Sequence, residues 1–305
     1  MDKKEQILHY IMNSKHYLLL LLTLILATSL QAKIVIDERK IEPAIIEVLY
    51  KRIKVTDTLL VDTDFKTDFL TLRAGKNSSA FYHANLKTHD SISVRNFEYA
   101  IATFKDKEAL KQVSSYEEEA LFKNFPKGKV TNHTRHSLCS WIYEEEWEKP
   151  VWEITDSTST IGGYECMLAV SDYRGRRWYA WFTPEIAISE GPWKLCGLPG
   201  LILEARDEKN HYQYSAMTIK LNPNRDVEYF NYSDRWKTDR ITSLKARRKY
   251  LQENAKNMIL AAGTYGLDPK KIKPDKEDKS KPRPHKNYDF EETDYPHEPK
   301  FAWEE

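Results

Sequence analysis

The chain has 305 residues, 41% hydrophobic and 30% charged, with 47 Lys plus Arg set against 46 Asp plus Glu. A balance this close argues against a dedicated nucleic-acid binder, which would carry a basic surplus. Its 18 Tyr, 11 Phe and 8 Trp suit pleated, half-buried strands better than a helical bundle, and the length fits one large or two small domains.

Residues Tyr17 to Leu30 are almost wholly apolar and follow Lys15 and His16. That run is shorter than the about 20 residues of a relaxed membrane span and fits the apolar centre of a secretory leader. Residues 1–32 are therefore expected to be a signal peptide. A start at Met12 would give it a short basic head, MNSKH, and cleavage would follow Ser29 or Ala32. The mature chain is expected to be soluble and periplasmic, touching a membrane only if the leader stays uncleaved.

Residues 33–265 read as a single β-rich domain. Ala44 to Thr58 is expected to be a long strand. Phe69 to Arg73 and Ser79 to His83 flank Gly75-Lys76-Asn77 as a hairpin. Residues 106–123, rich in Glu, Lys, Ala and Leu, predict a helix ending near Pro126 and Gly128. Closely spaced strands follow at Leu138 to Trp147, Val151 to Thr155, Tyr164 to Asp172, Arg176 to Thr183, Leu201 to Asp207 and Tyr212 to Leu221. Short connections force antiparallel neighbours, because a parallel return needs a crossover of a dozen or more residues. A second helix is expected over Ser243 to Ala262, with Leu244, Leu251, Ala255, Met258, Ile259 and Ala262 on one side and Gly263 at its end. The fold class that follows is mainly β (α+β): a curved antiparallel meander sheet or partial barrel, covered by one or two helices. Residues 266–305 are charged and rich in proline, too polar to offset their ordering entropy, and predict a disordered tail. Its aromatic residues Tyr288, Phe290, Tyr295, Phe301 and Trp303 could dock on a partner or on the sheet edge.

The most distinctive stretch is Trp178 to Arg206, WYAWFTPEIAISEGPWKLCGLPGLILEAR. Gly191-Pro192 and Gly197-Leu198-Pro199-Gly200 each join a residue tolerant of positive φ to one that fixes φ near −65°, so two chain reversals bracket Trp193 to Cys196. The stretch resembles the GLPGLI family of envelope proteins from Gram-negative bacteria, named for the residues that stand here as Gly197 to Ile202. The likeness extends upstream through Tyr143-Glu144-Glu145, Ile161 to Cys166 and Tyr173 to Arg176, giving a family-like core over residues 140–220. The resemblance implies an exported, mostly β protein, and brings no catalytic residues with it.

Several groups invite chemistry. His133, His136 and Cys139 have an H-x2-H-x2-C spacing that could serve zinc or copper, but residues three apart on a strand face opposite ways, so no metal is assigned. Glu144 and Glu146 share one strand face, with Glu145 on the other, and paired carboxylates can do acid and base work. No nucleophile or histidine base accompanies them, so no catalytic residue is assigned. Arg174, Arg176 and Arg177 surround a hairpin beside Trp178, Tyr179 and Trp181, where guanidinium and aromatic faces could bind an anion or a planar ligand, or brace the sheet by pairing with Asp172 and Glu204. The Gly197 to Gly200 turn is no phosphate cradle, because proline removes a backbone N–H and no lysine and helix follow. Three cysteines, Cys139, Cys166 and Cys196, leave an odd thiol; Cys139 with Cys166, Cys166 with Cys196, and three buried thiols all remain open. Arg240, Lys245, Arg247, Arg248 and Lys249 form a basic run on the last helix that could meet anionic lipid or an acidic partner, or simply be solvated.

The expectation from sequence is a non-enzymatic binding or accessory protein of the cell envelope that needs no cofactor. Its curved sheet would hold an apolar ligand or an envelope partner, with Arg174, Arg176, Arg177, Trp178, Trp181 and Trp193 at the binding surface and the turns Gly191-Pro192 and Gly197 to Gly200 bordering it. The competing expectations are a hydrolase or metal-dependent enzyme at Glu144, Glu146, His133 and His136, and a structural accessory of an outer-membrane receptor.

Overall fold

The computed structural model describes residues 37–56, 58, 61–62, 65–84, 119–136, 139–231 and 235–252. The expected leader, most of the first predicted helix and the C-terminal tail lie outside these residues. Among the described residues fourteen strands and one helix are formed: β1 (Asp37–Pro43), β2 (Ile46–Val55), β3 (Phe65–Ala74), β4 (Ser79–His83), β5 (Glu119–Lys123), β6 (Lys129–His136), β7 (Cys139–Glu146), β8 (Glu153–Ile161), β9 (Tyr164–Tyr173), β10 (Arg176–Thr183), β11 (Leu201–Asp207), β12 (Tyr212–Leu221), β13 (Asp226–Asn231), β14 (Trp236–Lys237) and α1 (Arg240–Gln252). Twelve strands make one sheet in the order β14-β7-β6-β5-β4-β3-β2-β12-β11-β10-β9-β8, and β1 pairs with β13 as a separate ribbon. Every ladder is antiparallel except β14 on β7.

The strand order dictates curvature. Strands β7 and β8 follow each other in the chain, yet they stand at opposite sides of the sheet, ten steps apart in the order. At about 4.8 Å a step a flat sheet would separate them by about 48 Å, whereas the connection through residues 147–152 can reach only about 25 Å. The sheet must curl, and it does so without closing into a barrel, because β7 and β8 do not pair.

Alternation along the strands sorts residues onto two faces. Ile46, Val48 and Tyr50 of β2, Leu70 and Leu72 of β3, Phe81 of β4 and Leu121 of β5 point inward and join Ala169, Trp178, Ala180, Phe182, Leu201, Leu203, Ala205 and Tyr214 in the main core. On the outer face Ala80, Tyr82, Ala120 and Phe122 are buried against Val227, Tyr229 and Phe230, so the β1–β13 ribbon covers this part of the sheet.

That cover explains one correction. Glu119–Lys123, the end of the helix predicted over 106–123, is strand β5, with all five residues buried. Its composition favours a helix, but Glu119, Leu121 and Lys123 face the inner side while Ala120 and Phe122 face the ribbon, and burial on both faces outweighs intrinsic propensity. The last helix also begins earlier than expected. Asp239 caps it, accepting from the Thr242 N–H at 2.9 Å and from the Thr242 hydroxyl at 2.6 Å, contacts that hold the Asp239 carboxyl below its ordinary range. Helix α1 packs on β6 and β7, with Leu244 buried. Residues 253–262 of the predicted helix lie outside the described set.

Between β10 and β11 the chain from Pro184 to Gly200 folds back into the concavity as a plug. Ile186, Trp193, Leu195 and Leu198 are buried in the main core. The plug is tied internally by Ser189 Oγ donating to Leu198 O at 2.7 Å, Leu195 N–H to Pro192 O at 3.0 Å and Ile202 N–H to Glu190 O at 3.0 Å. Gly197, at φ 96°, makes one of the reversals anticipated from sequence.

Candidate functional site

The concave face is apolar at its centre and polar toward its ends, and one end takes polar or charged residues from more strands than the other does. Going toward that end, β2 passes from Tyr50 to Arg52, β3 from Leu70 to Asp68, β4 from Phe81 to His83 and β5 from Leu121 to Glu119. On the other half β9 passes from Ala169 to Ser171, β10 from Trp178 to Arg176 and β11 from Ala205 to Asp207. The registers bring these residues to the same end of the sheet, with Arg52 opposite Asp68 and Tyr214, and Trp178 opposite Ser171 and Asp207.

Two buried guanidinium groups organise this end. Arg52, whose side chain is 1% exposed, donates from Nη1 to Glu119 Oε2 at 2.8 Å and from Nη2 to Asp68 Oδ2 at 3.0 Å. His83 Nε2 lies 3.7 Å from the other Asp68 oxygen. Across the concavity Arg176 Nη1 donates to Asp207 Oδ2 at 2.7 Å and its guanidinium lies 5.1 Å from the centre of the Tyr212 ring. Asp207 also accepts from the Tyr212 N–H at 2.8 Å. Ionised groups withdrawn this far from water are stable only with such pairing. Asp68 and His83 keep 18% and 14% side-chain exposure, which leaves a carboxylate and an imidazole presented to solvent with a buried cation behind them. The mouth of a curled sheet is a common position for a ligand site.

A second charged group holds the plug. Glu145 accepts from Arg174 Nη2 at 3.0 Å and from Asn132 Nδ2 at 3.0 Å, pairs with Lys194 at 2.5 Å and stands 3.6 Å from Arg240 of α1. At the opposite end from Arg52, Lys123 pairs with Glu190 of the plug, and Glu190 accepts from Ser79 Oγ at 3.0 Å. These contacts join β4, β5, β6, β7, the β9–β10 turn, α1 and the plug.

The six residues named from sequence as a binding surface are spread over different environments. Trp178 and Trp193 are buried, their rings 5.6 Å apart. Arg176 faces the same interior. Arg177 points outward and pairs with Asp172 at 3.2 Å, Trp181 is half-buried on the outward side, and Arg174 sits at the turn with φ 52° on Glu145. Glu144 and Glu146 are exposed on the outer face, while His133 is sealed beneath the ribbon, so these three do not share a cleft. The His136 and Cys139 side chains lie outside the described set. Among the described residues, no group of three His, Cys, Asp or Glu is placed to hold a metal. Arg52, Asp68, His83 and Glu119 were not singled out from sequence. The available signal was a charged residue at an inward position of a strand that otherwise buries apolar side chains.

Cys166 and Cys196 are both free and buried, which removes both pairings left open by sequence. Their environments differ: the Cys166 thiol donates to Tyr164 O at 3.5 Å, whereas Cys196 lies in the plug. Burial pushes the Cys196 thiol up to about 11, the nearby Lys123 acting in the opposite sense, and burial also raises Cys166. Since the thiolate is the reactive form, iodoacetamide at pH 8 is expected to modify neither in the folded protein and both after denaturation. Intact mass reads the outcome, and rapid native labelling of Cys196 would show that the plug opens.

A family described as a protein of unknown function (Porph_ging) matches residues 175–204. The matched stretch runs from the β9–β10 turn through the plug into β11 and contains the hexapeptide Gly197 to Ile202, so the plug is similar to part of an uncharacterised family. No curated protein matches the chain. Among solved structures it is similar to PNGF-II in the P21 space group, at 14% identity and a TM-score of 0.45, over 67% of this chain and 33% of that one. The C2 form of PNGF-II gives 15% identity and a TM-score of 0.43, over 65% and 31%. The chain thus spans about a third of the length of those structures.

Proposed function

We propose that this chain is an exported, non-enzymatic binding protein of the cell envelope whose ligand is polar and is held at the charged end of the concave face. The observation that carries the reading is the concerted change, on seven strands, from apolar to polar inward residues at that end. The apolar centre is already filled by the plug, which disfavours an apolar ligand lying along the sheet. Beside Arg52 the groups that keep some exposure are the Asp68 carboxylate and the His83 imidazole, and a carboxylate accepts hydrogen bonds, so the ligand presents donors such as hydroxyl or amino groups. The apolar run Tyr17 to Leu30 supports export to the periplasm, where such a ligand or an envelope partner bearing it would be met.

The test is native mass spectrometry of the chain isolated from the periplasm, followed by thermal-shift titration with whatever small molecule accompanies it. Asp68→Asn and Glu119→Gln are expected to weaken binding at least about tenfold, the scale of one charge-assisted hydrogen bond. Arg177→Ala, on the outward face, is expected to leave binding unchanged. A ligand retained by both carboxamide variants and lost from Arg177→Ala would sink the reading.

A further inference from the structure

We propose that the β1–β13 ribbon is an acid-released strap whose latch is His133. The imidazole lies on the outer face of β6 with no exposed surface. Phe122 lies edge-on to it at 5.1 Å between ring centres, and Tyr229 of the ribbon at 5.5 Å. Tyr229 Oη stands 3.4 Å from His133 Nε2, and Nδ1 has no hydrogen-bond partner. The neutral ring tolerates this enclosure. An imidazolium would carry two N–H donors into a site that offers one distant phenol oxygen.

The charged groups around the ring do not rescue a cation. Arg235 repels it, adding to burial, which is the larger cause of a His133 pKa far below the usual 6.5. Strand β1 brings Asp37 and Arg39 to the Tyr229 side, but they are paired with each other at 2.8 Å. Glu144 of β7 acts on Tyr229 only at a distance, and β5 contributes only Phe122 and Ala120 to this face. Arg235 Nε also donates to Asn231 Oδ1 at the end of β13 at 2.7 Å, and other polar ties of the ribbon lie on different residues: Arg73 bridges Glu47 and Glu228, and Glu42 accepts from the Asn77 and Ser78 backbone N–H groups.

The direction of the effect follows from linkage. The docked ribbon excludes a proton that the undocked imidazole accepts at its ordinary value, so docking is at full strength above pH 6.5 and weakens as pH falls below it. Each further pH unit moves the equilibrium toward release by up to about tenfold. Asp37, whose carboxyl is held low by Arg39, stays ionised through the upper part of this window. Release would uncover Tyr82 and Phe122, an apolar patch that is otherwise sealed.

Native hydrogen exchange read by mass spectrometry at pH 7.5 and 5.5, corrected for intrinsic exchange rates, tests the strap. In the wild-type chain β1 and β13 are expected to lose up to about tenfold in protection between these pH values while β9 to β11 keep theirs. His133→Phe, which preserves an aromatic ring without a titrating group, is expected to hold the ribbon at both. An equal loss in His133→Phe overturns the proposal, as does a wild-type ribbon that is insensitive to pH or that opens only with the whole sheet. The wild-type comparison stands alone if the variant does not fold.

Discussion

Replacing Gly200 by alanine is expected to be the most damaging single-methyl change among the described glycines. A Cβ at Gly200 would lie 2.1 Å from Thr183 O and 2.7 Å from Thr183 C. Both are backbone atoms at the end of β10, where the plug leaves and re-enters the sheet, so neither can swing aside as a side chain would. Thr183 is paired with Leu201 in the β10–β11 ladder, and relieving the overlap means parting that ladder next to the buried Leu201 and Ile202. Overpacking of this kind costs typically about 1–3 kcal/mol when side chains can adjust, and Gly200→Ala should exceed about 3 kcal/mol. For a domain of this size that is a fall of roughly 10 °C in melting temperature. Gly163→Ala is the matched control. Gly163 has φ 88°, and a Cβ there would meet nothing within 4 Å, so only backbone strain of about 1–2 kcal/mol applies. Thermal melts of the two variants check this, and equal losses would mean that the close approach is relieved elsewhere.

The second large effect is expected at the Lys123–Glu190 pair. Both residues are buried, and Glu190 is anchored further by Ser79. Removing one partner from such a pair strands the other charge and costs about 3–5 kcal/mol, whereas replacing both by apolar groups of similar size is often near neutral. Lys123→Met and Glu190→Leu are each expected to destabilise by that amount, and the double variant by clearly less than either. Chemical denaturation of the four proteins closes the cycle. Additive losses would show that the two charges do not depend on each other. The pair also bears on Tyr50, whose hydroxyl donates to Ile202 O at 2.6 Å in the same interior and which burial, then Glu190, keep protonated well beyond its usual range.

The central strands were legible because their local signals agreed with their final surroundings. Arg176 to Thr183, Leu201 to Asp207 and Tyr212 to Leu221 carry alternating or apolar runs bounded by turn residues, and each forms a strand with those limits. The curvature was legible in outline from short connections and aromatic content. Strand β5 was not, because its helix-forming composition is overruled by a ribbon whose two strands are separated by almost the whole domain. Nothing near Asp37 or Asp226 announces that these segments pair. The charged end was hidden for a similar reason: Arg52, Asp68 and Glu119 each look like ordinary surface charges in their own segments, and only the register places them around one guanidinium. The arginines beside Trp178 stood out because they are adjacent in sequence, yet adjacency on a strand sends Arg176 and Arg177 to opposite faces.

The strand order also fixes how the molecule can assemble. From β2 to β7 each strand pairs with its successor, and from β8 to β12 the same is true, so each half of the sheet is a run of sequence-adjacent pairings. Among the described residues, strand pairing joins the halves only along β2 and β12, where Ile46 meets Leu221 and Lys54 meets Tyr212. Closing that seam joins segments more than half the chain apart, an entropic cost that is repaid only once both halves exist. Folding is therefore expected to have two quick, local stages and one slow zippering step, and substitutions along β2 and β12 are the ones that should govern its rate.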